Sequence, residues 1–285
     1  MITTNQQGEI VEERRNLAIP VVRQMSSLLE EENKFILLCG QKSQLMRERA
    51  LQVGAEIEQA IKPQQPVDKL TILFLAANPQ DTQKLALDQE VRSITEAIRK
   101  SEGRDGIEFF SRWAVQSLDI LQAINETDPE IIHFSGHGSE KGEIVLDDGS
   151  GNMSMVSKEA MAAAVASASK KVRMIFFNAC FSQKEAQAVV DKVEAAIGMN
   201  TEIGDEAAIV FAAQFYSSIG FGQNLQQAFD QAKAALLLKG IAEENTPVLY
   251  VRKGLLAQDI VMVESEALKK SDNVTIMQKI KKIFS

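Results

Sequence analysis

The chain has 285 residues, 45% of them hydrophobic, enough for one large α/β domain with appendages or for two small domains. Its 31 basic and 39 acidic side chains leave a net charge of -8, so no direct nucleic-acid binding is expected, because general nucleic-acid binders carry a basic excess. Two cysteines, Cys39 and Cys180, make no disulfide framework. Residues 1–16 lack the apolar core of a signal peptide and no apolar run nears the ~20 residues that cross a bilayer, so the expected location is the cytoplasm, with no transmembrane segment.

Residues 20–61 have few helix breakers, and Met46, Ala50, Val53, Ile57 and Ile61 recur at helical spacing. Cys39-Gly40 divides this stretch into two helices, and Cys39 belongs to an apolar core segment. The two prolines of residues 62–66 make a linker. A different rhythm begins at Leu70. Residues 70–76 form an apolar run typical of a strand buried on both faces. A helix over 85–100 carries Leu87, Val91, Ile94 and Ile98 on one face. Further strands are predicted at 107–113, 130–135, 142–148, 172–178, 195–199 and 248–251. Helices are predicted at 118–124, 158–169, 184–193, 205–218 and 225–238. Strands that alternate with helices in this way predict a mostly parallel sheet with helices on both faces. The organisation is then a helical region over 1–66 for docking or interaction, an α/β domain over 67–255, and a tail over 256–285. In the tail, Val274, Met277, Ile280 and Phe284 share one face of an amphipathic helix.

Two segments carry chemistry. The first is an apolar strand running into His133-Phe134-Ser135-Gly136-His137-Gly138. The second is an apolar strand ending in Asn178-Ala179-Cys180, ahead of a helix. Both place a reactive side chain at the carboxyl end of a parallel strand, where open α/β sheets bind ligands. If the two strands are neighbours, Cys180 can attack a carbonyl as a thiolate. His137 can then protonate the leaving amine and activate water. The helix start after Cys180 favours the thiolate. The backbone N–H groups of Gly138 and Cys180 could hold an oxyanion. Taken singly, a cysteine after a strand is usually a small buried hydrophobe; the joint placement carries the reading. His133 lies within its strand and reads as a packing or supporting residue. A zinc site at His133 and His137 is weak, because their spacing shares a face only on a helix and the chain offers few other ligands. No metal and no cofactor are expected.

With these motifs the sequence resembles the CHAT domain, a prokaryotic branch of the caspase-like cysteine peptidases that include separase. The resemblance covers residues 68–254. It includes residues 72–79, Asp205 with Phe211 and Phe215-Tyr216, and residues 246–250. It implies a caspase-like sheet, a cysteine endopeptidase acting on a protein substrate, and His137 and Cys180 as the catalytic dyad. It also implies an acidic residue that selects a basic side chain before the cut. Asp205 is the candidate for that role, with a helix N-cap as the competing reading. Relatives imply a regulatory or sensor protein partner, an enzyme silent until triggered, and a role in antiviral defence or cell suicide. The alternative is a catalytically silent caspase-like adaptor.

Overall fold

The computed structural model describes residues 19–31, 51–54, 69–167 and 171–263. The expected second N-terminal helix, Cys39, and the amphipathic tail helix lie largely or wholly outside these residues. By its contacts the chain divides into two units, residues 1–67 and 68–285. In the first, residues 19–31 and 51–54 are helical.

The second unit is an α/β domain. Its strands are β1 (Leu70–Ala76), β2 (Ile107–Arg112), β3 (Ile131–Ser135), β4 (Glu143–Asp147), β5 (Met153–Ser157), β6 (Met174–Asn178), β7 (Ala195–Met199) and β8 (Pro247–Val251). Its helices are α1 (Leu87–Lys100), α2 (Asp119–Thr127), α3 (Lys158–Ser167), α4 (Gln183–Val189), α5 (Asp205–Gly220) and α6 (Leu225–Leu238). The main sheet has the order β2-β1-β3-β6-β7-β8. Its strands pair in parallel except β8, which runs antiparallel to β7. The strand expected over 142–148 is not part of this sheet. It is β4, which forms a separate antiparallel hairpin with β5, a strand the sequence reading did not predict.

Alternation along the buried strands sorts side chains into two cores. Ile72, Phe74 and Phe176 face the layer of α1, α5 and α6. Leu73, Leu75 and Phe177 face the layer of α2, α3 and α4. Both faces of the sheet are therefore covered by helices, which is why β1, β3 and β6 are apolar at nearly every position. The first core runs on past residue 255 to include Ala257, Ile260, Met262 and Val263. Those apolar side chains close the bottom of the α5–α6 layer, so the domain extends beyond the boundary expected at 255. Among the described residues, no helix is long and apolar enough to cross a membrane.

Candidate active site

Strands β3 and β6 are direct neighbours, with Ser135 opposite Asn178. His137 and Cys180 each follow one of these partners by two residues, so the register delivers them to the same sheet edge at the same height. The two loops touch. A Cβ at Gly138 would overlap the backbone carbonyl of Cys180, so only glycine allows this approach. Residue 138 also makes an antiparallel bridge to Ile144 of the β4–β5 hairpin. That bridge uses the His137 carbonyl and the Ser139 N–H, leaving the Gly138 N–H pointing away from the hairpin.

Cys180 is a free, half-buried thiol. The next residue, Phe181, has φ 57, left-handed backbone that a bulky side chain rarely adopts. The turn it forces is fixed by buried Ser182. Its hydroxyl lies 3.0 Å from the Phe177 carbonyl and 2.7 Å from that of Ala179, and accepts the Met199 N–H at 3.0 Å. Changing Ser182 to alanine strands the Met199 N–H and should cost about 1–3 kcal/mol in denaturant unfolding. A loss below ~0.5 kcal/mol would show that the hydroxyl does not fix the turn.

α4 starts only at Gln183, with Ser182 at its cap, and has seven residues. Cys180 thus lies outside the first turn, where the field of a helix fades. The expected help from a helix N-terminus is therefore small.

His137 and Cys180 line one cleft with Leu85, Glu90, Ile203 and Asp205. The cleft is narrow, with about 30 Å³ of free space, and is open to solvent on one side. The Nε2 of His137 lies 2.6 Å from the Gln83 carbonyl, which can only accept, so that nitrogen carries a proton. The thiol of Cys180 donates to the Ile203 carbonyl at 3.8 Å. The Ala86 N–H donates to Asp205 Oδ2 at 3.3 Å. Residues 83–86 therefore reach both the histidine and the aspartate of the cleft.

Asp205 is the first residue of α5, and Gly204 occupies its cap. The helix-cap alternative for Asp205 does not match this geometry; its carboxylate meets the segment before α1 instead. His133 sits on the sheet between its register partners Phe74 and Phe176. Its ring centroid is 4.7 Å from the first and 4.4 Å from the second, the packing place expected of it. It points into the core, away from the loop that carries His137. Among the described residues, no three His, Cys, Asp or Glu side chains gather as metal ligands.

Sequence reasoning missed Glu90. It lies fully within the cleft wall, 2% exposed, and binds both strand ends. The available signal was a carboxylate on the face of α1 that carries Leu87, Ile94 and Ile98.

The family model of the CHAT domain matches residues 26–248, and the chain belongs to that family. The match reaches further toward the N-terminus than the motifs recognised over 68–254. A "probable protease" of Gillisia limnaea is 21% identical over 169 residues, covering 58% of this chain and 30% of that protein. A "Roc-COR-CHAT protease" of an unknown prokaryotic organism is 22% identical over 175 residues, covering 59% of this chain and 16% of that protein. The chain thus spans less than a third of the length of either relative. Among solved structures, caspase-1 from Spodoptera frugiperda aligns with 70% of this chain and 91% of its own, at 10% identity and a TM-score of 0.46. The Arg specific cysteine proteinase gingipain R aligns with 69% of this chain and 49% of its own, at 14% identity and a TM-score of 0.45.

Proposed function

We propose that the chain is a cysteine endopeptidase acting through Cys180 and His137. The observation that carries the reading is the Ser135–Asn178 pairing, from which both side chains follow by two residues into one cleft. The protease names of the two relatives support it. In this reaction the Cys180 sulfur attacks the scissile carbonyl carbon, and the C–N bond breaks as His137 gives its proton to the departing amine. His137 then takes a proton from water, whose oxygen attacks the thioester and frees Cys180. The N–H groups of Gly138 and Cys180 would receive the oxyanion. Asp205, at the cleft wall, would pair with a basic side chain before the cut.

The enzyme rests in a silent state. Three observations support this: the narrow cleft, the Gln83 carbonyl on His137, and the Ala86 N–H on Asp205. A regulatory or sensor protein would open the cleft by drawing residues 83–86 away, in the cytoplasm and in the setting of an antiviral or cell-suicide response. The same narrow cleft favours a second reading, a silent adaptor in which Cys180 never reacts.

Co-expression with candidate partners and substrates separates the two. Fragments that vanish on Cys180→Ala are expected, with a loss of at least 10³-fold in cleavage rate. Fragments that persist unchanged in this variant sink the peptidase reading. Asp205→Ala should reduce cleavage after Arg and Lys by about 10²-fold while sparing the reactivity of the thiol. Unchanged preference would leave Asp205 as a contact of residue 86 only.

A further inference from the structure

We propose that Glu90 is a positioning residue for the Cys180–His137 pair, its buried carboxylate tying together the two strand ends that carry them. The proposal rests on the peptidase reading above. Glu90 lies on the buried face of α1, one turn after Leu87. A carboxylate in such a place is costly unless its oxygens are bonded. Here Oε2 accepts the Ser135 hydroxyl, and Oε1 accepts the Asn178 side-chain amide at 2.7 Å. Ser135 and Asn178 are the register partners at the ends of β3 and β6. One side chain therefore spans both strand ends from the helix layer beneath them.

A second ring of contacts holds Glu90 itself. His133 Nε2 is 3.0 Å from Oε1, close enough to pair though off the line of a hydrogen bond. Its Nδ1 lies 3.1 Å from the Tyr216 hydroxyl. Burial first, and the charge of Glu90 second, raise the pKa of Tyr216 well above its ordinary value, so the hydroxyl keeps its proton and can donate to Nδ1. When Tyr216 donates, the ring proton of His133 sits on Nε2, facing Glu90. Asn178 also reaches the Ala208 carbonyl at 3.4 Å, which links the same point to α5.

The effect on the dyad is geometric: His137 and Cys180 stand two residues above the points that Glu90 grips, and misplacement of ~1 Å can cost ~10²-fold in rate. A displaced His137 no longer pairs with the thiolate of Cys180.

The test is the pH dependence of Cys180 alkylation by iodoacetamide on the full chain, read on the Cys180 peptide by mass spectrometry so that Cys39 does not interfere. Glu90→Gln keeps the size and removes the charge. Its alkylation profile should move up by about one pH unit, with the rate at neutral pH falling about tenfold, while the melting temperature changes little. His137→Ala should move the profile too, since it removes the partner of the thiolate. If His137→Ala shifts the profile and Glu90→Gln does not, the dyad stands and the role of Glu90 is overturned. If neither shifts it, the dyad reading fails and takes the Glu90 proposal with it. Should Glu90→Gln not fold, Ser135→Ala removes one strut alone; a shift in the same direction of about threefold is expected, and an unmoved profile overturns the proposal.

Discussion

Changing Gly138 to alanine is expected to disable the cleft while leaving the domain folded. The added Cβ would overlap the Cys180 carbonyl, a backbone atom that no rotamer change can move aside. The two loops must part, and they carry His137 and Cys180. A separation of ~1 Å should lower the rate of cleavage by about 10²-fold, and the alkylation rate of Cys180 in the same direction. The fold should survive, because the overlap lies at the sheet edge, outside both hydrophobic cores. The cost in stability should stay within the ~1–3 kcal/mol typical of local overpacking. Activity within a factor of ~3 of the parent would mean that the two loops do not set one another's position.

The same contact shows how far the placement of His137 and Cys180 can be read from the sequence. Strand ends can be read from sequence, because β3 and β6 are apolar runs that stop at small polar residues, Ser135 and Asn178. That these strands are neighbours could be posed only as a condition. Pairing depends on the crossover through β4, β5 and α3, which no local pattern specifies. Asp205 could be placed at the start of α5, but its partner could not. Ala86 is 119 residues away, and the contact arises only because α1 and α5 pack on the same face of the sheet.

Other features left no readable mark. The reversed direction of β8 follows from the path out of α6, not from residues 247–251 themselves, which look like any other apolar strand. β5 has Met153 and Met155 on its exposed side, so its alternation puts large apolar groups where a polar one would be looked for. Glu90 is the opposite case. A charge within the stripe of Leu87, Ile94 and Ile98 contradicts amphipathic patterning, and such local conflicts tend to mark functional or strained sites. Its partners, Ser135, Asn178 and His133, all sit inside the two motifs that were recognised, yet nothing in the spacing of 45 and 88 residues connects them to α1.

Glu185 presents a buried carboxyl without such partners, and it makes the stability of the domain depend on pH. It lies in α4, five residues after Cys180, fully buried, and neither oxygen has a hydrogen-bond partner in another residue among the described ones. Burial raises its pKa from 4.5 to about 7; its own backbone N–H, then Lys184 and Lys158, pull it down, and Glu143 pushes it up. The folded state therefore holds the proton more tightly than the unfolded chain. The contribution of Glu185 to stability is most favourable below about pH 4.5, declines as pH rises toward 7, and carries the full cost of the buried charge above that. At ~1.4 kcal/mol per pH unit, discounted for screening by solvent, the cost at pH 8 is about 2 kcal/mol. Glu185→Gln removes the charge and keeps the shape. It should stabilise the domain by about 2 kcal/mol at pH 8 and by almost nothing near pH 4.5, in denaturant unfolding at the two values. A gain equal at both would trace to packing and not to ionisation. Because α4 follows directly on the Cys180 turn, the charged form should loosen that turn first. Hydrogen exchange of residues 181–189 should then quicken between pH 6 and 8 in the parent beyond the ordinary rise with base, and the excess should vanish in Glu185→Gln.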